Sequence, residues 1–303
     1  MSYESYRVQV GAFDVLAVAD GAIQYPVDAV FAAAPRPEVD VALAQRGLST
    51  VQLTVPYTCL LIDTGEHKVL VDTGAGHLAD HAAGIFPGLD HSTSTSGHLT
   101  ASLKAAGVNP GDIDTVIITH GHPDHLGGTV DDNGQLQFPN ARYFMSRAEW
   151  EFWMSPNAEA TMMPAMVHIA RHNLDPIEDR VTLVEDGFEI VPGVRALDAA
   201  GHTVGHMGVV VESEGQRLIH LCDCCLHALQ TEHPTWTAVF DADPARVVET
   251  RRRLFKLASD ADMLVFFYHF PFPGLGRLVC DGESWRWQPL TAPAGAAVER
   301  GVT

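Results

Sequence analysis

The chain has 303 residues, 46% of them hydrophobic, and carries 38 acidic against 19 basic side chains for a formal net charge of −19. Such a length accommodates one or two domains with a sizeable core, while the acidic field repels nucleic-acid backbones and anionic membranes, so neither is an expected partner. No run approaches the roughly 18 apolar residues of a membrane span, no signal-type segment opens the chain, and an odd set of five cysteines (Cys59, Cys222, Cys224, Cys225, Cys280) fits a reducing, cytoplasmic setting better than a disulfide framework.

Tyr6 to Gly21 alternates apolar and polar residues as two strands turning near Gly11-Ala12, with a further turn at Asp20-Gly21. Residues 25–50 contain Pro26, Pro35 and Pro37 and then a helix-compatible stretch, Val39 to Arg46. They read as an excursion from the core sheet, either a substrate flap or an oligomer contact. Val51 to Ile62 and Lys68 to Val71 are strands, the second running into Asp72-Thr-Gly. A loop rich in Gly, His and Ser spans His77 to Ser96, and a helix is expected over His98 to Ala106. The strand Thr115 to Ile118 follows.

Beyond it come a strand at Arg142 to Met145 and a helix opened by Ser146, with Glu149 three residues on as a capping box. A Met-rich helical stretch extends to His172. Strands recur at Val181 to Val184, Phe188 to Val191, Val194 to Ala196, Val209 to Glu212 and Arg217 to Leu221. A helix over Pro244 to Ala258 precedes a last buried strand, Met263 to Phe267, which ends at His269. Strands and helices repeat in both halves without a linker between them, which favours two sheets packed together with helices outside, as one domain over residues 1–303.

Chemistry concentrates in Thr119 to Gly128, T-H-G-H-P-D-H-L-G-G, directly after the strand Thr115 to Ile118. His120 and His122 are two apart, so a turn aims both imidazoles at one ion. Asp124 and His125 supply oxygen and nitrogen to a second ion nearby, a donor set suited to zinc and its neighbours. Chance histidines in a polar loop explain so dense a cluster poorly. Two sites need more ligands than this, and three further strand ends offer them: His202 in Gly-His-Thr, Asp223 after Leu218 to Cys222, and His269.

Together these residues resemble the signature of the metallo-β-lactamase superfamily: His120-x-His122-x-Asp124-His125, then His202, Asp223 and His269, with Asp72-Thr-Gly as its early strand-end Asp-x-Gly. The resemblance implies an αββα sandwich, two mixed sheets flanked by helices, with a dinuclear centre at the sheet edges. His120, His122 and His202 would hold one metal, and Asp124, His125 and His269 the other, with Asp223 bridging. Asp72 would orient a ligand histidine, as metal-bound imidazoles require. Three stretches look more narrowly like the methyl parathion hydrolase and lactonase branch. They are Tyr143-x-Met145 running on to Trp150 and Trp153, Phe240-Asp-Ala-Asp243, and His269-Phe-Pro-Phe-Pro-Gly.

Relatives usually carry Gly before the bridging Asp; here Cys222 stands there. A Cys beside Asp223 in a strand faces the other way, so Cys222, Cys224 and Cys225 read as small buried residues rather than ligands. His206 reads as structural and His227 as a residue near the pocket, while His168 and His172 read as helix surface or pocket wall.

The expected function is a hydrolase in which two divalent ions, zinc first and manganese, iron or cobalt as alternatives, share a hydroxide that attacks a neutral apolar ester. A lactone is favoured, with organophosphate triesters as a side activity. Asp124 is the catalytic residue of this scheme, passing a proton to the leaving group. Trp150, Trp153, His227, Phe270 and Phe272 are the candidate pocket wall. The partners expected are a small-molecule substrate and a second copy in a homodimer. The competing readings are a thioesterase of glyoxalase II type, which wants a basic C-terminal extension, a tRNA-processing nuclease, which the charge opposes, and a non-catalytic metal-binding module.

Overall fold

The computed structural model describes residues 3–76, 91–290 and 299–301. His77 and His81, and most of the expected loop around them, lie outside the described residues. The first sheet contains β1 (Tyr3–Val10), β2 (Phe13–Pro26), β3 (Gln52–Asp63), β4 (Lys68–Val71), β5 (Thr115–Ile118), β6 (Arg142–Ser146), β7 (Val181–Val184) and β15 (Glu299–Gly301), in the order β15-β1-β2-β3-β4-β5-β6-β7. The second contains β8 (Glu189–Val191), β9 (Val194–Asp198), β10 (Met207–Ser213), β11 (Gln216–His220), β12 (Leu264–Phe266), β13 (Leu275–Asp281) and β14 (Ser284–Pro289), in the order β14-β13-β12-β11-β10-β9-β8. Both sheets are mixed: β4 through β7 pair parallel, as do β11 and β12, and the other pairs are antiparallel.

The strands with two buried faces are those whose sequences are continuously apolar. In β3, Cys59 and Leu61 face one core while Leu60 and Ile62 face another; in β5, Val116 and Ile118 oppose Ile117 in the same way. Period-two alternation therefore sorts one strand into two cores. The core between the sheets takes Leu60, Ile62 and Ile117 from the first and Val209, Val211, Leu218 and Phe266 from the second.

Outside the first sheet pack α2 (Arg36–Gln45), α3 (Leu99–Ala105), α5 (Arg147–Trp153) and α7 (Pro164–Leu174). Outside the second packs α9 (Pro244–Asp260), through Leu254, Phe255 and Ala258. Asp243 caps this last helix by accepting from the Arg246 N–H, and Pro244 occupies its first turn. The layers are helix, sheet, sheet, helix, as the family resemblance implies. No helix among the described residues is long and apolar enough to cross a membrane.

One local expectation changes, and two further stretches gain a place in the fold. Asp20-Gly21 is no turn: β2 runs straight through it with a bulge that pairs Ala19 with Thr58 and Gly21 with Tyr57. The bulge turns the Asp20 carboxylate inward, where it accepts from the N–H groups of Ala75, Gly97 and Leu99. The excursion at 25–50, with α1 (Val27–Val30) and α2, packs onto the chain near residue 236 through Phe31 against Trp236 and an Arg46–Glu232 pair. Finally, Cys280 to Trp287 lies in the β13–β14 hairpin, which sequence periodicity did not reveal.

Candidate metal centre

The parallel pairs β4–β5 and β11–β12 end at the same edge of the sandwich, and each of the four strands is followed by a site residue: Asp72, His120, Asp223 and His269. Pro123 then starts the short α4 (Pro123–Leu126), which carries Asp124 and His125. His202 comes from the loop between β9 and β10.

The seven expected ligand residues converge. His120, His122, His202 and Asp223 form one group of close donor atoms, and Asp124, His125 and His269 form a second. His202 Nε2 lies 2.9 Å from His122 Nδ1 and 3.2 Å from Asp223 Oδ2. The same Oδ2 is 3.2 Å from His269 Nε2, while Asp223 Oδ1 is 3.3 Å from His125 Nε2. Asp124 Oδ2 is 3.5 Å from His269 Nε2 and 3.7 Å from His125 Nε2. Asp223 is thus within reach of both triads.

These residues fit a pair of divalent ions on three counts. Ligands about 2.0–2.1 Å from a tetrahedral ion stand roughly 3.4 Å apart, which is the spacing of these atoms. His120 Nε2 and His125 Nε2 are fully buried without a hydrogen-bond partner, a costly arrangement unless a cation takes the lone pair. In four of the five histidines the other ring nitrogen is engaged elsewhere. His125 Nδ1 is 2.9 Å from Asp72 Oδ2, His202 Nδ1 is 2.8 Å from Asp241 Oδ1, and His269 Nδ1 donates to Pro56 O at 2.9 Å. His120 Nδ1 is 3.1 Å from Thr119 Oγ1. Each contact puts the proton on the far side of the ring and leaves a bare nitrogen facing the centre.

Electrostatics point the same way. Burial holds His120 and His122 well below the usual imidazole range, in the neutral form that binds metal. For His202 burial opposes protonation, but Asp223 and Asp241 outweigh it and push the ring up to about 9. A cation between His202 and Asp223 would replace that proton.

A family model for the metallo-beta-lactamase superfamily matches residues 54–269. The chain belongs to that superfamily. It is a metallo-hydrolase of that fold, with His and Asp side chains that could hold metal gathered at one edge. Among curated relatives, an N-acyl homoserine lactonase of Bacillus cereus is 28% identical over 226 residues, covering 72% of this chain and 82% of the relative. AidC, a dizinc quorum-quenching lactonase solved with a product, matches at a TM-score of 0.83 and 23% identity, over 96% of this chain and 99% of that one. The hydrolase AbOPH, in the same superfamily, matches at a TM-score of 0.84 and 26% identity with the same coverage.

The expected pocket residues fare differently. Trp153 borders a cleft of about 230 Å³ that also touches His122 and His202, together with Phe152, Met162, Met163, Met166 and Phe240. Trp150 packs on the helical-layer core instead. Phe270 stacks on Phe267 at 4.1 Å under the second sheet, and Phe272 packs against the inter-sheet core. Aromatic type alone does not tell a core ring from a pocket ring, and the sharp turn after His269 directs these two away from the metals. His227 meets Phe31 edge-on at 5.4 Å, and its Nδ1 accepts from the Leu229 N–H.

Cys222 also differs from the expectation. Residues Cys222–Cys224 form a 3-10 turn rather than a strand, so the alternate-face rule does not apply. Its Sγ is 3.1 Å from Thr119 Oγ1 and 3.6 Å from Asp72 Oδ2, beneath the ligands. Its φ of 45° explains why Gly is usual there. Burial pushes this thiol, like those of Cys224 and Cys225, well up, as suits buried neutral residues.

Two functional neighbours escape sequence reasoning. Asp241, which orients His202, appears there only within a family-like segment. Glu149 reads as a helix-capping partner, yet only half of that box exists. Ser146 Oγ accepts from the Glu149 N–H at 3.4 Å, while the carboxylate turns to the metal loops. No spacing rule marks such a long-range use.

Proposed function

We propose that the chain is a lactonase acting on a neutral lactone or aryl ester with an apolar substituent, with organophosphate triesters as a side activity. The observation that carries this is the cleft beside His122 and His202. It is walled by Phe152, Trp153, three methionines and Phe240, and among the described residues that line it there is no Lys or Arg. Such a wall binds a hydrocarbon chain and gives an anionic carrier nothing to hold. The lactonase relatives support the same class.

Two divalent ions at the two triads would supply Lewis acidity and a nucleophile drawn from water at neutral pH. The chain's own residues do the rest. The apolar wall would set the ester carbonyl beside His122 and His202 and exclude bulk water. The Asp124 side chain is 13% exposed, against 3% for Asp223, so Asp124 is the more open of these two carboxylates. Its carboxylate takes up the proton released by the attacking water and returns it to the departing alkoxide. Asp72, Asp241 and the Pro56 carbonyl keep the imidazoles turned inward throughout.

The test is a panel of homoserine lactones of rising chain length, dihydrocoumarin, a paraoxon-type triester and a glutathione thioester, run with metal counting by mass spectrometry. Lactones should be hydrolysed fastest, with KM falling as the chain lengthens. A preference for the glutathione thioester would establish the glyoxalase II type reading, and fewer than one metal per chain the non-catalytic one. Light scattering tests the proposed homodimer.

A further inference from the structure

We propose that Glu149 is a positioning residue that pre-sets one half of the dinuclear centre and leaves the other half alone. Its carboxylate is fully buried. Oε1 accepts from the Gly121 N–H at 2.9 Å and the Trp153 Nε1–H at 2.7 Å. Oε2 accepts from the Thr203 hydroxyl at 2.7 Å and the Gly205 N–H at 2.9 Å. Gly121 lies between His120 and His122, and Thr203 follows His202. One carboxylate therefore ties together the two loops that carry all three imidazoles of one triad.

The four donors are neutral, so a buried anion is held by hydrogen bonds that strengthen when the acceptor is charged. Neither loop has slack at this point. A Cβ on Gly121 would come within 2.0 Å of Trp153 Nε1, and one on Gly205 within 2.3 Å of the Glu149 nitrogen. Glycine is needed in both places so that the loops can close onto α5, one at its last residue and the other at its first turn.

The second triad is anchored by other groups. His125 is turned by Asp72 and His269 by the Pro56 carbonyl, and the Asp124 carbonyl accepts from the Tyr268 hydroxyl at 2.7 Å. None of these touches Glu149. Removing the carboxylate should therefore unmake one metal site and spare its neighbour, which a residue of merely structural importance would not do.

This rests on the metal reading above, and the test separates the two. Wild type and Glu149→Gln are equilibrated in zinc buffers and their bound metal is counted by mass spectrometry. The isosteric amide keeps one acceptor but sets an N–H against N–H and O–H donors on the other side. Wild type should bind two ions. Glu149→Gln should keep one at wild-type affinity and bind the other about 10–100-fold more weakly, the usual effect of losing an outer partner. Adding His269→Ala to Glu149→Gln should remove the retained ion, whereas adding His122→Ala should leave it.

Two ions held at full affinity by Glu149→Gln would overturn the proposal, as would both weakening equally. Wild type binding less than one ion would instead sink the metal reading. Glu149→Ala, followed by thermal melting of the metal-free protein, controls for folding. A metal-free form melting near wild type, with one ion lost, supports positioning; collapse of the metal-free fold overturns it.

Discussion

Replacing Asp72 by Asn tests how the protein keeps its ligand nitrogens bare. Asp72 sits at φ 62°, a left-handed conformation that Asn adopts with little cost, so the backbone is preserved. Its Oδ1 accepts from the Thr119 N–H at 2.8 Å, and Oδ2 accepts from the Thr119 hydroxyl at 2.8 Å and faces His125 Nδ1 at 2.9 Å. In the variant the amide oxygen keeps the Thr119 N–H and the amide nitrogen replaces Oδ2. The Thr119 hydroxyl can rotate to accept from that nitrogen. His125 Nδ1 can meet an N–H only as an acceptor, so its proton moves to Nε2, where the metal should bind. Relative to wild type, the binding tautomer then lacks its hydrogen bond to a charged group, about 1.5–3 kcal/mol, or roughly 10–150-fold in affinity. The fold loses less, about 1–2 kcal/mol, because the Thr119 contacts survive. Zinc-buffer titration with metal counting should show one ion held and the other weakened by that factor, with hydrolysis partly restored at high zinc. The metal-free variant should melt only a few degrees below wild type. Two ions bound at wild-type affinity would refute the tautomer reasoning.

Phe270→Ala should cost about 3–5 kcal/mol of stability, as for a buried aromatic, while the folded fraction keeps its kcat/KM; denaturant titration and steady-state kinetics check both. Phe240→Ala removes one cleft wall and should lower kcat/KM for long-chain lactones roughly thirtyfold, about 2 kcal/mol of apolar contact, with little change for short-chain ones. Cys222→Gly relieves a left-handed φ that costs roughly 1–2 kcal/mol with a side chain and should leave two ions per chain; loss of an ion would reveal a thiolate ligand. His220 is fully buried, with Nδ1 accepting from the Cys222 N–H, and burial pushes it down to about 4. Between its ordinary 6.5 and about 4 it stays neutral when folded and is protonated when unfolded. Its contribution to stability is therefore complete above pH 6.5 and is lost as pH falls toward 4, at about 1.4 kcal/mol per pH unit and ~3 kcal/mol in all. The difference between wild type and His220→Asn in denaturant titrations across that window should show this slope.

What could be read in advance follows from range. The strands around Thr115–Ile118 and Leu218–His220 are short apolar runs that end in ligand-type residues, so element type and site lie within a few positions of each other. The seven converging donors were legible for that reason, as were the two mixed sheets. Asp20-Gly21 misled because a bulge and a turn share the same residues, and only the partner strand decides between them. Phe270 and Phe272 misled because the direction of a ring after His269 depends on how the chain turns there. Trp153, an expected pocket residue, borders the cleft, and so does its neighbour Phe152, which helical spacing alone did not predict.

Glu149 was hidden for a deeper reason. Its backbone N–H does what the local pattern says, bonding Ser146, while its carboxylate serves residues 28 and 56 positions away in the chain. Asp72 likewise reaches His125 from 53 positions away. Ligands announce themselves because the chemistry demands particular residue types, but their orienting partners need only a carboxylate in the right place. The two carboxylates also contact different halves: Asp72 faces Nδ1 of His125, and Glu149 bonds the loops bearing His120, His122 and His202. The Asp72→Asn and Glu149→Gln variants should therefore lose opposite ions. If both lost the same one, the centre would be a single coupled unit, and the separation of anchors seen in the structure would carry no energetic meaning.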